Sequence, residues 1–555
     1  MARMYKVNYK GIETFEVAEG TSIMEIVSNV QKYYNYPIVV AKVDNDIVGL
    51  NYEICKKCEV DFFDRSSLLG NDVYANSVYM MLVLAIKRLY GESADIEINN
   101  SIDNGVCCEY LPANLTKEMV SKIKEEMDKI RKENIFFTPL NVRRSDAIKY
   151  FKKKKVMDKV NVLKYISNSY VTLYRLDDHY DYFFSKLAHS TKDINSYKLT
   201  YVNNNLFIIS TPSVEHPDEV LPYKNVPKII KAFIDAEEFG RQIGISNAAD
   251  LNRVVSEGNV KQAVRMSEIK YEKLLMDIAE NVYNKKDSIK MVLLAGPSSS
   301  GKTTSAKKLS LYLQARGFNT ITISTDDYFL DRDETPKDAN GNYDFESIKA
   351  IDLRLFNSHL TKLLKGEKVL VPEFNFVEGV KEYKKNYIKM GENDILVIEG
   401  LHCLNEQLTS SIPRKNKYKI FIAPFAQLNI DNHNRIHTSD TRRLRRIIRD
   451  NRTRGRSAAD TLRMWSSIRS GEFKWIYPYQ NDADDVINSA LTYELGVLKT
   501  YAEPLLYSVD EEDEMYPEAI RLINILRNVL PIPSDDIPSD SVIREFIGGS
   551  GFYDI

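Results

Sequence analysis

Residues 291–304 read Met-Val-Leu-Leu-Ala-Gly-Pro-Ser-Ser-Ser-Gly-Lys-Thr-Thr, an apolar run that enters a complete G-x-x-x-x-G-K-[ST] loop. That spacing demands a buried strand, a glycine turn and a helix opening at the lysine, which together call for an α/β region with a parallel sheet flanked by helices. Gly296 and Gly301 let the backbone curl so that successive N–H groups face one phosphate, and the positive end of the next helix adds to the field. The cradle runs through Gly296, Pro297, Ser298, Ser299, Ser300, Gly301, Lys302, Thr303 and Thr304. Lys302 is placed to reach the β/γ-phosphates, and the Thr303 hydroxyl suits Mg²⁺. The segment implies nucleoside triphosphate binding and leaves the reaction open.

At 555 residues the chain has room for about three domains. A formal charge of −2 offers no general attraction for membrane or nucleic acid, so RNA contact has no support from charge. The longest apolar run, 79–86, is too short to span a bilayer, and the first residues lack a signal-peptide core. Five cysteines in so long a chain suit a reducing compartment, and the expectation is a soluble cytoplasmic protein. Cys55-Lys-Lys-Cys58 lacks two further zinc ligands nearby, so both are read as ordinary thiols.

Residues 3–18 alternate as a hairpin turning at Lys10-Gly11, followed by a helix over 22–34 and an extended region over 38–63. This unit, residues 1–65, resembles a TGS domain, the small ubiquitin-like α+β fold that opens threonyl-tRNA synthetases. The stretch 77–90, with Ile102-Asp103-Asn104-Gly105 and Leu173-Tyr174-Arg175-Leu176, resembles the α+β second domain of threonyl- and alanyl-tRNA synthetases and defines a unit over 66–211. The resemblance implies an H-x-x-x-H pair and a C-x-x-x-H pair. Asn76, Met80, Phe183 and Leu187 stand at those positions, so editing chemistry is expected to be absent, with His179 and His189 read as surface residues. Residues 212–285 read as a helical connector, whose stripe Met266, Ile269, Leu274, Ile278 and Val282 suits a core or a dimer face. A homodimer is expected. An alternating β/α region follows over 286–530, and the Gly-rich tail 531–555 carries no readable signal.

Four further segments fall where phosphoryl transfer needs them. A second strand ends in Asp326-Asp327-Tyr328-Phe329, and a carboxylate at a strand end can accept a hydroxyl proton or support Mg²⁺. Asp394-Ile-Leu-Val-Ile-Glu399-Gly400 reads as a buried strand ending in a metal-supporting acid. Asn342-Tyr343-Asp344 and Val371-Pro-Glu-Phe374-Asn-Phe376 supply aromatic faces for a planar base and a carboxylate for vicinal hydroxyls. Residues 441–456 carry eight arginines and end near Gly455, which reads as a phosphate-clamping lid, with a solvated helix face or a nucleic-acid patch as the other readings.

Over about residues 288–490 these segments resemble the uridine kinase/phosphoribulokinase family of P-loop kinases. The resemblance implies ATP and Mg²⁺ as cofactors, with Thr303, Glu399 and Asp326 serving the metal. It implies Asp326 as base on a nucleoside 5′-hydroxyl and Asp344 on the ribose hydroxyls. It sets Phe374 and Phe376 around the base, beside Tyr328 and Phe329. Arg449, Arg454 and Arg456 join Lys302 on the phosphates. The implied activity is phosphorylation of a small-molecule nucleoside, uridine or cytidine, as in pyrimidine salvage. Two departures keep a sugar or sugar-phosphate kinase open. Val377-Glu378-Gly379-Val380 follows the aromatic pair where uridine kinases carry a histidine, and Glu399-Gly-Leu-His402 leans toward phosphoribulokinase. A nucleotide-regulated RNA-binding protein, using the synthetase-like half, is the reading from another class. Asn284-Lys-Lys-Asp287 matches the guanine-reading N-K-x-D of GTPases, but it directly precedes the loop strand and has no room for its own strand and loop.

Overall fold

The computed structural model describes residues 3–9, 12–112, 114–337, 341, 343–375, 378–384, 386–425 and 428–552. The N-terminal hairpin joins β1 (Met4–Tyr9) to β2 (Glu13–Ala18). A capping box, in which Ser22 and Glu25 satisfy each other's backbone N–H groups, opens α1 (Ile23–Val30). With β3 (Ile38–Val43), β4 (Asp46–Val48) and β5 (Cys58–Asp64), the sheet runs β2-β1-β5-β3-β4, and β1 pairs parallel with β5. Ile23, Ile26, Val27 and Val30 bury the face of α1 in this unit's own core. Cys55 is exposed, Cys58 is buried, and both are free thiols.

The next unit contains α2 (Leu68–Tyr90), β6 (Asp95–Ile102), β7 (Gly105–Leu111), α3 (Lys117–Glu133), β8 (Thr138–Arg143), α4 (Arg144–Lys154) and α5 (Met157–Lys164). It continues through β9 (Tyr170–Leu176), β10 (His179–Tyr182), β11 (Lys198–Tyr201) and β12 (Leu206–Ser210), forming the sheets β11-β12-β7-β6 and β10-β9-β8. The α2 helix amends the membrane expectation. Among the described residues it alone is long and apolar enough to cross a bilayer by length and composition. It is buried without a break from Val73 to Ile86, as befits a helix apolar on all sides and enclosed by protein. Met80, Phe183 and Leu187 pack in that same core, while Asn76 turns its amide to the Asp72 carbonyl.

The connector holds α6 (Pro227–Ile243), α7 (Ala248–Ser256) and α8 (Val260–Tyr283). Its helical character over 227–283 matches the expectation, and the stripe on α8 holds in part, at Ile278 and Val282. Val264, Tyr271, Leu275, Ile278 and Val282 are buried, whereas Ile269 is exposed. The small and polar Ser267 and Glu268 complete the buried face, which an apolar-only count passes over.

The C-terminal region opens with β13 (Met291–Ala295), α9 (Lys302–Ala315), β14 (Asn319–Ser324) and α10 (Leu353–Leu364). Four short strands follow: β15 (Val369–Leu370), β16 (Glu373–Asn375), β17 (Val380–Glu382) and β18 (Tyr387–Ile388). Then come β19 (Asp394–Glu399), β20 (Lys417–Ala423), α11 (Thr438–Arg454), α12 (Ala458–Arg463), α13 (Trp465–Trp475), β21 (Asp485–Asn488), α14 (Glu494–Tyr507), α15 (Tyr516–Leu526) and α16 (Arg544–Ile547). The principal sheet is parallel throughout, in the order β14-β19-β13-β20-β21. Residues read as a separate tail are built into this region, because Ile532, Ile537, Val542, Ile543 and Ile547 share a core with Val292, Leu294 and Leu309.

A buried polar knot ties the second unit to residues 428–437, which lead into α11. Lys159 Nζ lies 2.8 Å from Asp431 and 3.1 Å from Asp181, and Arg435 donates to the Asn99 carbonyl at 3.1 Å. His433 sits between two carboxylates, 2.5 Å from Asp181 and 3.0 Å from Asp95. Reading His179 as a surface residue fails here, since its ring is mostly buried 4.0 Å from Asp181. His189 is partly buried against Phe136.

Burial alone would lower the His433 pKa, but Asp181 and Asp95 outweigh it and push it up to about 10. A group raised in the folded state contributes stability that is complete below its unfolded value, about 6.5, and is lost as pH climbs toward 10. Replacing His433 by Gln should therefore cost about 3–5 kcal/mol near pH 6 and progressively less toward pH 10. Denaturant midpoints of both proteins across that range test this. A difference that does not change with pH would contradict it.

Candidate active site

The parallel sheet brings the ends of β13, β14, β19 and β20 to one edge, and the loop after β13 lies at its centre. Gly296 has to be glycine, because a Cβ there would stand 2.1 Å from the Ile422 carbonyl oxygen. Gly301 takes a left-handed φ of 85° to turn the chain into α9. Lys302 Nζ folds back over the loop and donates to the Pro297 carbonyl at 3.2 Å. The hydroxyls of Ser299 and Ser300 are buried with no hydrogen-bond partner. Orphaned donors in a glycine cradle at a helix N-terminus fit phosphate.

Glu399 ends β19 beside the loop. Its carboxylate accepts from the Thr303 hydroxyl at 3.3 Å and from the Ser324 hydroxyl at 3.0 Å. Gly400 makes this approach feasible, since a Cβ there would lie 1.7 Å from Thr325 Oγ1. Asp326 follows β14 in a single helical turn, its N–H donating to Ser324 Oγ at 3.3 Å. Burial and the charge of Asp326 raise the Glu399 carboxyl, while Lys302 opposes them. Thr303, Glu399 and Asp326 present hard oxygens at the loop, a set suited to Mg²⁺ held by few side chains and the nucleotide's phosphates. Among the described residues, no group of three or more His, Cys, Asp or Glu could hold a metal on its own.

Next to Asp326, the Phe374 N–H donates to Asp327 at 3.4 Å, and its ring meets Phe329 edge-on at 5.7 Å. Burial pushes Asp327 up to about 6. Asp344 is partly buried, with its backbone N–H on the Pro336 carbonyl. Phe376 and Asn342 lie outside the described residues. Tyr328 requires a correction. It is fully buried, edge-on to Phe356 at 4.8 Å, and its hydroxyl pairs with His359 at 3.1 Å, so it packs the core and faces no acceptor.

The arginine run divides in two. Arg442 and Arg445 donate to the carbonyls of Ser298 and Ser299 at 3.0 and 3.4 Å, and Arg446 donates to Ser298 Oγ at 2.5 Å. These three grip the phosphate loop itself and are anchored by Glu472, Glu494 and Asp450. The sequence reading missed them and chose Arg449, Arg454 and Arg456. Helical phase was the available signal, because Arg442, Arg445, Arg446 and Arg449 fall on one face at i, i+3, i+4 and i+7. Arg449 and Arg454 lie 2.8 and 3.4 Å from Asp450, which Arg446 also approaches at 3.1 Å. Three guanidinium groups on one buried carboxylate leave surplus positive charge beside the loop, suited to an anion. Arg456 is directed elsewhere, donating to Met464 Sδ at 3.1 Å.

A further carboxylate went unrecognised. Glu346 packs its Cβ where Gly471 lacks one, and its buried Oε2 has no hydrogen-bond partner. Burial and the charge of Glu472 push its pKa up to about 7 against the pull of Arg446 and Lys302.

A parallel sheet with this loop, an acid-tipped neighbouring strand and an arginine helix forms a P-loop nucleotide-binding arrangement. Residues 291–495 match the model of the Phosphoribulokinase / Uridine kinase family. A uridine kinase from Deinococcus deserti is 26% identical over 196 residues, covering 35% of this chain and 84% of that protein. Similarity in the N-terminal region is to threonine–tRNA ligases. The ligase of Clostridium kluyveri is 30% identical over 183 residues, and that of Clostridioides difficile is 29% identical over 201. The chain spans only 28% and 31% of those two ligases. A solved structure of a possible uridine kinase from Bacillus stearothermophilus is 15% identical, covers 36% of this chain and 89% of its own, and has a TM-score of 0.25.

Proposed function

We propose that the C-terminal half transfers the γ-phosphoryl group of ATP to the 5′-hydroxyl of a ribonucleoside, with uridine and cytidine the first candidates. The observation that carries this reading is Glu399 held on the Thr303 and Ser324 hydroxyls with Asp326 on the same Ser324 beside the loop, and the Phe329–Phe374 aromatic pair next to Asp327. The loop and Lys302 bind and orient the triphosphate. Asp326 accepts the proton of the attacking hydroxyl, and Arg449 and Arg454 stabilise charge on the transferring group. Thr303 and Glu399 would hold Mg²⁺, which would supply neutralisation of phosphate charge. Positioning and electrostatics do the catalysis, with no covalent enzyme intermediate.

Asp344 is the group assigned to the ribose hydroxyls. A charged hydrogen bond contributes about 1.5–3 kcal/mol, so Asp344→Ala should raise the KM for a ribonucleoside about 10- to 100-fold. The KM for the matching 2′,3′-dideoxynucleoside should stay near its wild-type value. Steady-state kinetics on the two acceptors checks this, and an equal rise for both would remove Asp344 from that role.

A further inference from the structure

The last described residues of the chain meet the phosphate loop at its helix end. Glu545 Oε2 accepts from the Thr304 backbone N–H at 3.1 Å and from the Thr304 hydroxyl at 2.8 Å. Thr304 is the third residue of α9, so its N–H is one of the donors that a phosphate loop offers to a bound nucleotide. A carboxylate on both donors of this residue is chemically a phosphate surrogate. The adjoining residues reinforce the placement. The side chain of Val542 lies over Gly301, so that a Cβ there would come within 2.3 Å of it.

The same segment also holds the arginine helix. Arg452 donates to the carbonyls of Phe546 and Glu545 at 3.2 and 3.1 Å, and the Arg445 guanidinium lies 4.9 Å over the Phe546 ring. Asp540 pairs with Lys308 on α9 at 2.8 Å. Residues 540–552 therefore bridge α9 and α11, the two elements that must both face a triphosphate.

We propose that this C-terminal segment is an autoinhibitory strap whose Glu545 carboxylate competes with a nucleotide phosphate for Thr304. Nucleotide binding displaces Glu545 and, with it, the hold on Arg452. The proposal rests on the reading of the loop as a triphosphate site and is independent of the acceptor. Val542, Ile543 and Phe546 are fully buried, so the strap is a stable part of the closed form and leaves by local opening.

The test uses the full chain and MgATP without acceptor. Calorimetric titration should show Glu545→Ala binding MgATP about tenfold more tightly than wild type. Asp540→Asn, which loosens the strap away from the loop, should shift affinity in the same direction by less. Hydrogen exchange of residues 540–552 in the wild type should quicken at saturating MgATP. Unchanged or weaker binding by Glu545→Ala, or exchange that slows on MgATP addition, overturns the strap and leaves the triphosphate site standing. If neither wild type nor Glu545→Ala binds MgATP, the triphosphate reading itself falls and takes the strap with it.

Discussion

Replacing Lys302 by alanine is expected to abolish phosphoryl transfer whichever acceptor the enzyme uses. Its ammonium is held over the loop by the Pro297 carbonyl, close enough to Glu399 to influence that carboxyl. The neighbouring Arg442, Arg445 and Arg446 are already committed to the loop and to Glu472, Glu494 and Asp450. Loss of one such preorganised charge lowers kcat by about 10²–10³-fold, and the effect here should lie at or beyond the upper end, because both binding and transfer depend on it. ADP release with each acceptor measures this. Retention of most of the turnover would mean that the loop is not the catalytic triphosphate site.

Asp326→Asn should separate chemistry from binding. The amide keeps the shape and the backbone hydrogen bond to Ser324, but it cannot accept the hydroxyl proton. General-base catalysis contributes about 10²–10⁴-fold, so kcat should fall by that factor while MgATP affinity stays near wild type. Removing the charge also relieves Glu399, whose carboxyl Asp326 helps to raise, so Glu399 should stay ionised to lower pH in the variant. Unchanged turnover would exclude Asp326 as the base. A parallel loss of MgATP affinity would assign it to metal support instead.

Much of the donor half of the site could be read from the sequence because its parts are short and locally spaced. Gly296, Gly301, Lys302 and Thr303 are fixed within eight residues, Glu399 ends a strand announced by its apolar run, and Asp326 lies two residues past the end of β14. What escaped depends on contacts between distant segments. Glu545 reaches Thr304 from 241 residues away, and no local pattern in the tail marks it. Tyr328 is adjacent to the acids in sequence, yet the single helical turn after β14 rotates it into the core against Phe356 and His359. In the arginine run, composition suggested a lid, whereas Arg442, Arg445 and Arg446 hold the loop and Arg449 and Arg454 gather on Asp450. The second unit posed the same difficulty. Its apolar core was legible, but the seating of Lys159 and Asp181 against Asp431 and His433 joins residues from opposite halves of the chain.

The most direct measurement is product analysis by phosphorus NMR and mass spectrometry. The full chain would be incubated with MgATP and a panel of ribonucleosides, sugars and sugar phosphates. The account predicts ADP together with a nucleoside 5′-monophosphate, formed from uridine or cytidine and lost in Asp326→Asn. Phosphorylation confined to a sugar or sugar phosphate, or ATP hydrolysis that leaves every nucleoside unmodified, would contradict it.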